Sequence, residues 1–242
     1  MVDRNNYYTS APAKSAAEID EGLRAYMLTV YNYMASALAL TGLAAYVTAN
    51  APALLSLLYT ELGAPTMLGY IAMFSPLAFI LVINFGINRM KASTTQMIFW
   101  GFAAVMGLSL SNILLMYTGT SVAKTFFVTA AAFGALSLYG YSTKKNLSGM
   151  GSFMIMGLFG LIIASVVNMF MQSSMMDFAI SAIGVLIFAG LTAYDTQRIK
   201  LMYLESDHSE VASKKAIMGA LSLYLDFINM FLFLLRFMGN RN

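Results

Sequence analysis

The sequence predicts an all-α membrane protein, a polytopic bundle of seven transmembrane helices, and three observations predict it. Hydrophobic residues make up 59% of the 242 residues and charged ones only 10%, with a mean hydropathy of +0.70, far outside the balance of a water-soluble domain. The apolar stretches run to about twenty residues, the length a helix needs to cross a hydrocarbon core of about 30 Å. Within them apolar and polar residues do not alternate, which excludes the strands of a membrane barrel.

Residues 1–22 are polar and mixed in charge and lack a signal-peptide pattern, so they read as a cytoplasmic tail. Residues 23–239 form one membrane domain, because they contain no linker long enough to divide it. Its spans fall at Leu23–Ala49, Thr66–Ile87, Thr95–Tyr117, Ala123–Tyr141, Ser152–Met171, Phe178–Ile199 and Ala216–Met238. The first follows the tail as an uncleaved span. The second contains Pro76, which removes a backbone hydrogen bond and kinks the helix unless a neighbour compensates. In the third, Gly107 and Ser111 are small residues four apart, and in the fourth Ala130 and Gly134 are another such pair; both allow close helix approach. Asn32, Asn84, Asn112 and Asn168, in the first, second, third and fifth spans, are expected to bond between helices.

The last two spans carry polar stripes. At about 100° per residue, Asp177, Ser181, Gly184, Thr192, Asp195 and Arg198 share one third of the sixth helix, and Ser222, Asp226, Asn229 and Arg236 share a narrow face of the seventh.

Loop charges orient the bundle. With the N-terminus inside, eleven of the 14 basic residues lie in inner segments, and only Lys124, Arg236 and Arg241 lie outside. The positive-inside rule therefore sets the N-terminus in the cytoplasm and, after seven crossings, the C-terminus outside. The last crossing has an alternative, since its stripe and terminal Arg236 also suit a re-entrant helix.

Composition excludes several functions. A net charge of +3 spread over loops gives no sign of a nucleic-acid partner. The absence of cysteine excludes disulfides, thiolate metal sites and cysteine nucleophiles. The single histidine, His208, lies in a charged loop with Glu205, Asp207 and Glu210 that reads as a solvated segment, and no resident cofactor is expected. The short tail and lack of cysteine point to a bacterial inner membrane.

Function is sought at Asp195 and Asp226. An ionised side chain in mid-bilayer costs about 2.5–3.5 kcal/mol on insertion scales, so a retained acid faces a partner, a cavity or an ion path. An antiparallel hairpin sets both acids in the inner half of the membrane. If the carboxylates meet, one holds a proton near neutral pH and the pair titrates as a unit, a pH sensor. When both ionise they form a hard oxygen site suited to Ca²⁺, provided Asn, Ser, carbonyl or water oxygens complete about six to eight ligands. Ser181, Thr192, Ser222 and Asn229 are the pore-stripe candidates. A plainer reading pairs Asp195 with Arg89 or Arg198 and hydrogen-bonds Asp226 to its neighbours; an ion pair that must break for a path to open is then a latch.

The strings Ala193-Tyr-Asp-Thr-Gln-Arg-Ile-Lys200 and Ala220-Leu-Ser-Leu-Tyr-Leu-Asp-Phe-Ile-Asn-Met-Phe231 resemble the signature segments of the Bax inhibitor family, the transmembrane Bax inhibitor motif family. The resemblance extends from about Glu21 to Gly239 and is to its prokaryotic members. It implies a pH-sensitive Ca²⁺ leak channel with a di-aspartyl sensor at Asp195 and Asp226. It also implies a basic latch at the inner end of the second span, where Asn88 and Arg89 are the candidates.

Other classes remain. A proton-coupled cation transporter would use the same stripes, although no inverted repeat is visible. A non-conducting scaffold that regulates a membrane protease or cell death would need the acids only for structure. An intramembrane aspartyl protease fits poorly: Asp226 follows Tyr224-Leu225 without glycines, and the Pro52-Ala53-Leu54 string lies in a loop. No enzyme activity is expected.

Overall fold

The computed structural model describes residues 16–60 and 64–242. Eight helices follow in order: α1 (Ala16–Asn50), α2 (Pro52–Leu58), α3 (Met67–Gly86), α4 (Ala92–Met116), α5 (Gly119–Ser142), α6 (Ser148–Met171), α7 (Ser174–Met202) and α8 (Ser209–Met238). Seven of them are long and apolar enough to cross a membrane, and no extended strand accompanies them among the described residues. The all-α seven-span architecture is the one expected.

Several boundaries move outward. Residues 1–15 of the expected tail lie outside the described residues, as do Arg4 and Lys14, and 16–22 belong to α1. Helix α8 begins at Ser209, seven residues before the apolar run, because a helix continues into water at its polar end. The loop after α1 contains the short α2, which the span pattern misses: Pro52 starts it and its seven residues are too few to cross. Starts elsewhere follow capping. The hydroxyls of Thr66, Thr118 and Ser173 accept from the backbone N–H groups of Gly69, Ser121 and Met176.

Helix α3 runs unbroken through Pro76. Proline leaves the carbonyl four residues earlier without its N–H donor, and Ser75 Oγ donates to that carbonyl, Ala72 O, at 3.2 Å. The compensation needed for a continuous helix is thus built into the preceding residue.

Helix α8 is the axis of the bundle, packed by α1, α4, α5 and α7, while α6 rests on α7, and α3 on α4 and α2. Its first turn meets the start of α4, where Glu210 Oε1 accepts from Ala92 N at 2.7 Å. The residues after it meet the end of α4, where Thr118 N donates to Asn240 O at 3.1 Å and Asn242 N to Met116 O at 3.0 Å. These contacts lie at opposite ends of α4, so α8 crosses the full bundle and is not re-entrant.

Small residues set two close approaches. A Cβ on Gly107 would meet Thr41 O at 2.5 Å, joining α4 to α1, and one on Gly140 would collide with the Ala193 carbonyl, joining α5 to α7. Gly134 behaves differently from the expectation: a Cβ there meets nothing within 4 Å, so the Ala130/Gly134 pair forms no close helix contact at that residue. The asparagine expectation also fails. Asn84 and Asn112 bond within their own helices, Asn168 Oδ1 accepts from Ser173 N in the α6–α7 turn, and Asn32 is exposed. For Asn84 the reason is Ile80 O, a carbonyl four residues back on its own helix that a short amide reaches more readily than a neighbouring helix.

Candidate functional site

Helices α7 and α8 form an antiparallel hairpin closed at its loop by Lys215 Nζ, 2.6 Å from Asp207 Oδ2 and 3.0 Å from Met202 O. Glu210 accepts from Ala92 N and lies 3.6 Å from Lys214 Nζ. The loop charges therefore tie helices together, and no group of three metal-ligating acids, histidines or cysteines occurs among the described residues.

Buried polar contacts fix the rotation of each helix. Tyr224, fully buried on α8, shares a 2.7 Å hydrogen bond with Thr41 Oγ1 of α1, which also lies 2.8 Å from Ala103 O of α4. On α7, Gln197 accepts from Leu147 N and donates to Lys145 O, both at 2.8 Å, while Thr196 donates to Ser137 of α5. Asp226 lies two residues after Tyr224, and Asp195 two before Gln197, so these anchors aim both acids. Sequence reasoning missed Gln197 as an anchor, although its place inside an apolar span is a signal that a buried amide has work to do.

The stripes of the two helices meet along their length. At one end Arg236 Nη1 lies 3.4 Å from Asp177 Oδ1. Toward the other, Arg198 Nη2 lies 3.2 Å from Asp195 Oδ1 on its own helix and donates to Ser222 Oγ of α8 at 3.1 Å. Its guanidinium stands 5.7 Å from the Tyr194 ring centroid. Between these ends the Asp195 and Asp226 carboxyls stand close enough to interact and line one cavity. Asp195 is 8% exposed and Asp226 4%, and neither Asp226 Oδ2 nor Arg198 Nε has a hydrogen-bond partner.

Both acids, Arg198, Ser222 and Asn229 line a cavity of about 650 Å³ whose other walls are apolar residues of α3, α6, α7 and α8. Ser165 of α6 adds a hydroxyl that the stripe pattern did not include. Ser181 and Thr192 point elsewhere: both are buried and bond back to the carbonyls of Asp177 and Phe188. Arg89 and Asn88 lie in the turn after α3 and do not line the cavity. Of the three latch candidates, only Arg198 reaches an acid, because a three-residue spacing on one helix places it over Asp195.

Charge does not balance here. One arginine stands against two buried acids, so the second carboxyl needs a proton or another cation. A family model described as "Inhibitor of apoptosis-promoting Bax1" matches residues 23–242. The chain belongs to the Bax inhibitor family. Relatives are similar over almost their whole lengths. An uncharacterized protein of Rickettsia prowazekii (strain Madrid E) is 54% identical over 241 residues, covering 100% of this chain and 99% of the relative. An uncharacterized protein of Caulobacter vibrioides is 47% identical over 246 residues, covering 99% and 98%. The inner membrane protein YbhL of Escherichia coli (strain K12) is 45% identical over 222 residues, covering 91% and 93%. This Bax inhibitor family chain is an integral membrane protein.

Proposed function

We propose that the chain is a Ca²⁺ leak channel gated by the coupled carboxyls of Asp195 and Asp226, with the Arg198–Asp195 ion pair as its latch. The observation that carries this reading is the charge imbalance at the cavity: two buried acids within reach of each other, and one arginine.

Two carboxyls this close in a buried site share one proton on this reading, so the neutralised cluster holds Arg198 and one proton. Loss of that proton leaves a net negative, oxygen-lined site. Ca²⁺ takes about six to eight oxygens at 2.3–2.6 Å, and Asn229 and Ser222 stand beside the acids to supplement water and carbonyl oxygens. Passage then requires the Arg198–Asp195 contact to break, since the guanidinium occupies the carboxylate that the ion needs. On this reading the acids bind and gate, and no covalent bond is made or broken.

The basic-residue distribution supports a cytoplasmic N-terminus and outer C-terminus, and the name of the YbhL relative supports a bacterial inner membrane.

The test is Ca²⁺ entry into proteoliposomes from about pH 5 to pH 8, across the range in which a coupled carboxyl pair exchanges its proton. Wild type is compared with Asp195→Asn, Asp226→Asn and the double substitution. The expected result is a pH-dependent flux that flattens in the variants. A double variant with the wild-type pH profile, or no flux from folded protein at any pH, overturns the reading.

A further inference from the structure

The bundle is open between α1 and α5. Helix α1 is held by α4 and α8, and α5 by α7 and α8, so the two splay around a groove of about 460 Å³. From α1 it is lined by Arg24, Met27 and Tyr31, which share one helical face, and from α5 by Phe133, Gly134 and Tyr141. The N-terminal end of α1 and the C-terminal end of α5 lie on the same side of the bundle, so the groove runs from that surface into the hydrocarbon. Arg24 to Tyr31 spans about 10 Å at 1.5 Å per residue, the depth of a lipid glycerol backbone and the upper stretch of an acyl chain.

Two features distinguish this groove from ordinary lipid-facing surface. Arg24 at its mouth is exposed and makes no ion pair with a described residue, and Asp20 and Glu21 one turn further out are not bonded to it. A second cation stands close by, with Lys200 Nζ 4.8 Å from the Tyr141 ring centroid and donating to Tyr141 O at 2.7 Å. Gly134 on the groove floor, like Gly160 on α6, has no atom within 4 Å of where an added Cβ would stand, so it leaves the floor open. Glycine there is disfavoured by about 1 kcal/mol against alanine, and no protein neighbour requires it.

We propose that this groove is a binding site for an acidic phospholipid, with its phosphate at Arg24 and one acyl chain laid over Gly134. A zwitterionic headgroup balances its own phosphate with its amine. Arg24 at the groove mouth, with Lys200 held against the Tyr141 wall, therefore favours a headgroup with net negative charge. The site is separate from the aspartate cavity, and the proposal stands whether or not the chain conducts Ca²⁺.

The experiment is native mass spectrometry of the full chain released from micelles holding phosphatidylglycerol and phosphatidylcholine in equal amounts. Wild type is expected to retain one phosphatidylglycerol in preference to phosphatidylcholine. Arg24→Gln should lower that preference about fivefold, the effect of one basic residue near an anionic surface, and Arg24→Lys should restore it. Gly134→Leu, which fills open space, should reduce retention of both lipids. Equal retention of the two lipids by wild type, an unchanged preference in Arg24→Gln, or a dimer that excludes lipid each overturns the proposal. Arg24 is exposed, so its two variants keep the test decisive even if Gly134→Leu fails to fold.

Discussion

Replacing Arg198 by glutamine tests the latch directly. In the closed arrangement its guanidinium lies 3.2 Å from Asp195 Oδ1 and 3.1 Å from Ser222 Oγ, and its side chain is 42% exposed against 12% for Asp195. Two unit charges about 4 Å apart attract by about 4 kcal/mol at an effective dielectric of about 20. The exposure of the arginine screens this, and about 1–2 kcal/mol is the share that favours the closed state. Losing it shifts a closed-to-open equilibrium by a factor of about 5–30. Arg198→Gln should therefore raise Ca²⁺ flux by that factor, read with a fluorescent indicator inside proteoliposomes at fixed pH. A double-mutant cycle isolates the pair: in an Asp195→Asn background the same substitution should add little. Gel filtration and thermal unfolding in detergent establish that the variants are folded. A folded Arg198→Gln protein with wild-type flux, or an equal increase in both backgrounds, refutes the latch.

Further outcomes follow from the packing. Tyr224→Phe removes one hydroxyl while Thr41 keeps Ala103 O, and it should cost about 1 kcal/mol; Thr41→Val strands the buried tyrosine hydroxyl and should cost about 1–3 kcal/mol, seen as the larger drop in thermal midpoint. Gly140→Ala drives a methyl into the Ala193 carbonyl and should destabilise by about 1–3 kcal/mol. Gly160→Ala on α6, where a Cβ meets nothing within 4 Å, should be neutral or stabilising by up to about 1 kcal/mol, so equal midpoints for the two would contradict the close α5–α7 approach. Because the chain has no cysteine, single cysteines at Lys144 and Lys124 report orientation cleanly. A membrane-impermeant thiol reagent applied outside should label Lys124→Cys alone, and the reverse pattern would invert the bundle.

Much of this was legible in the chain itself. The seven spans followed from run length, because a bilayer of fixed thickness demands about twenty apolar residues per crossing whatever they pack against. Asp195, Asp226 and the stripes that carry them were visible because charge in an apolar span needs a local reason. Helical period alone placed Arg198 three residues from Asp195 and Ser222 four from Asp226. The short α2 was hidden, since a seven-residue helix has no length signature, and the asparagines were read toward neighbours although Asn84 finds a carbonyl, and Asn112 a methionine sulfur, on its own helix.

Tertiary structure decided the rest. Ser181 and Thr192 share a stripe with Asp195 by angle, yet which stretch of that stripe faces a cavity depends on where α3 and α6 leave room. The three-residue spacing puts Arg198 in reach of Asp195, but only the path of the α3–α4 turn keeps Arg89 away from the cavity. The last helix reads as a span with a re-entrant alternative, and only the packing makes it the axis of the bundle, spanning α4 from end to end. The open groove at Gly134 follows the same rule. Composition and period determine what a helix is, because they act within a few turns of backbone, whereas the identity of its neighbours depends on the path of the whole chain.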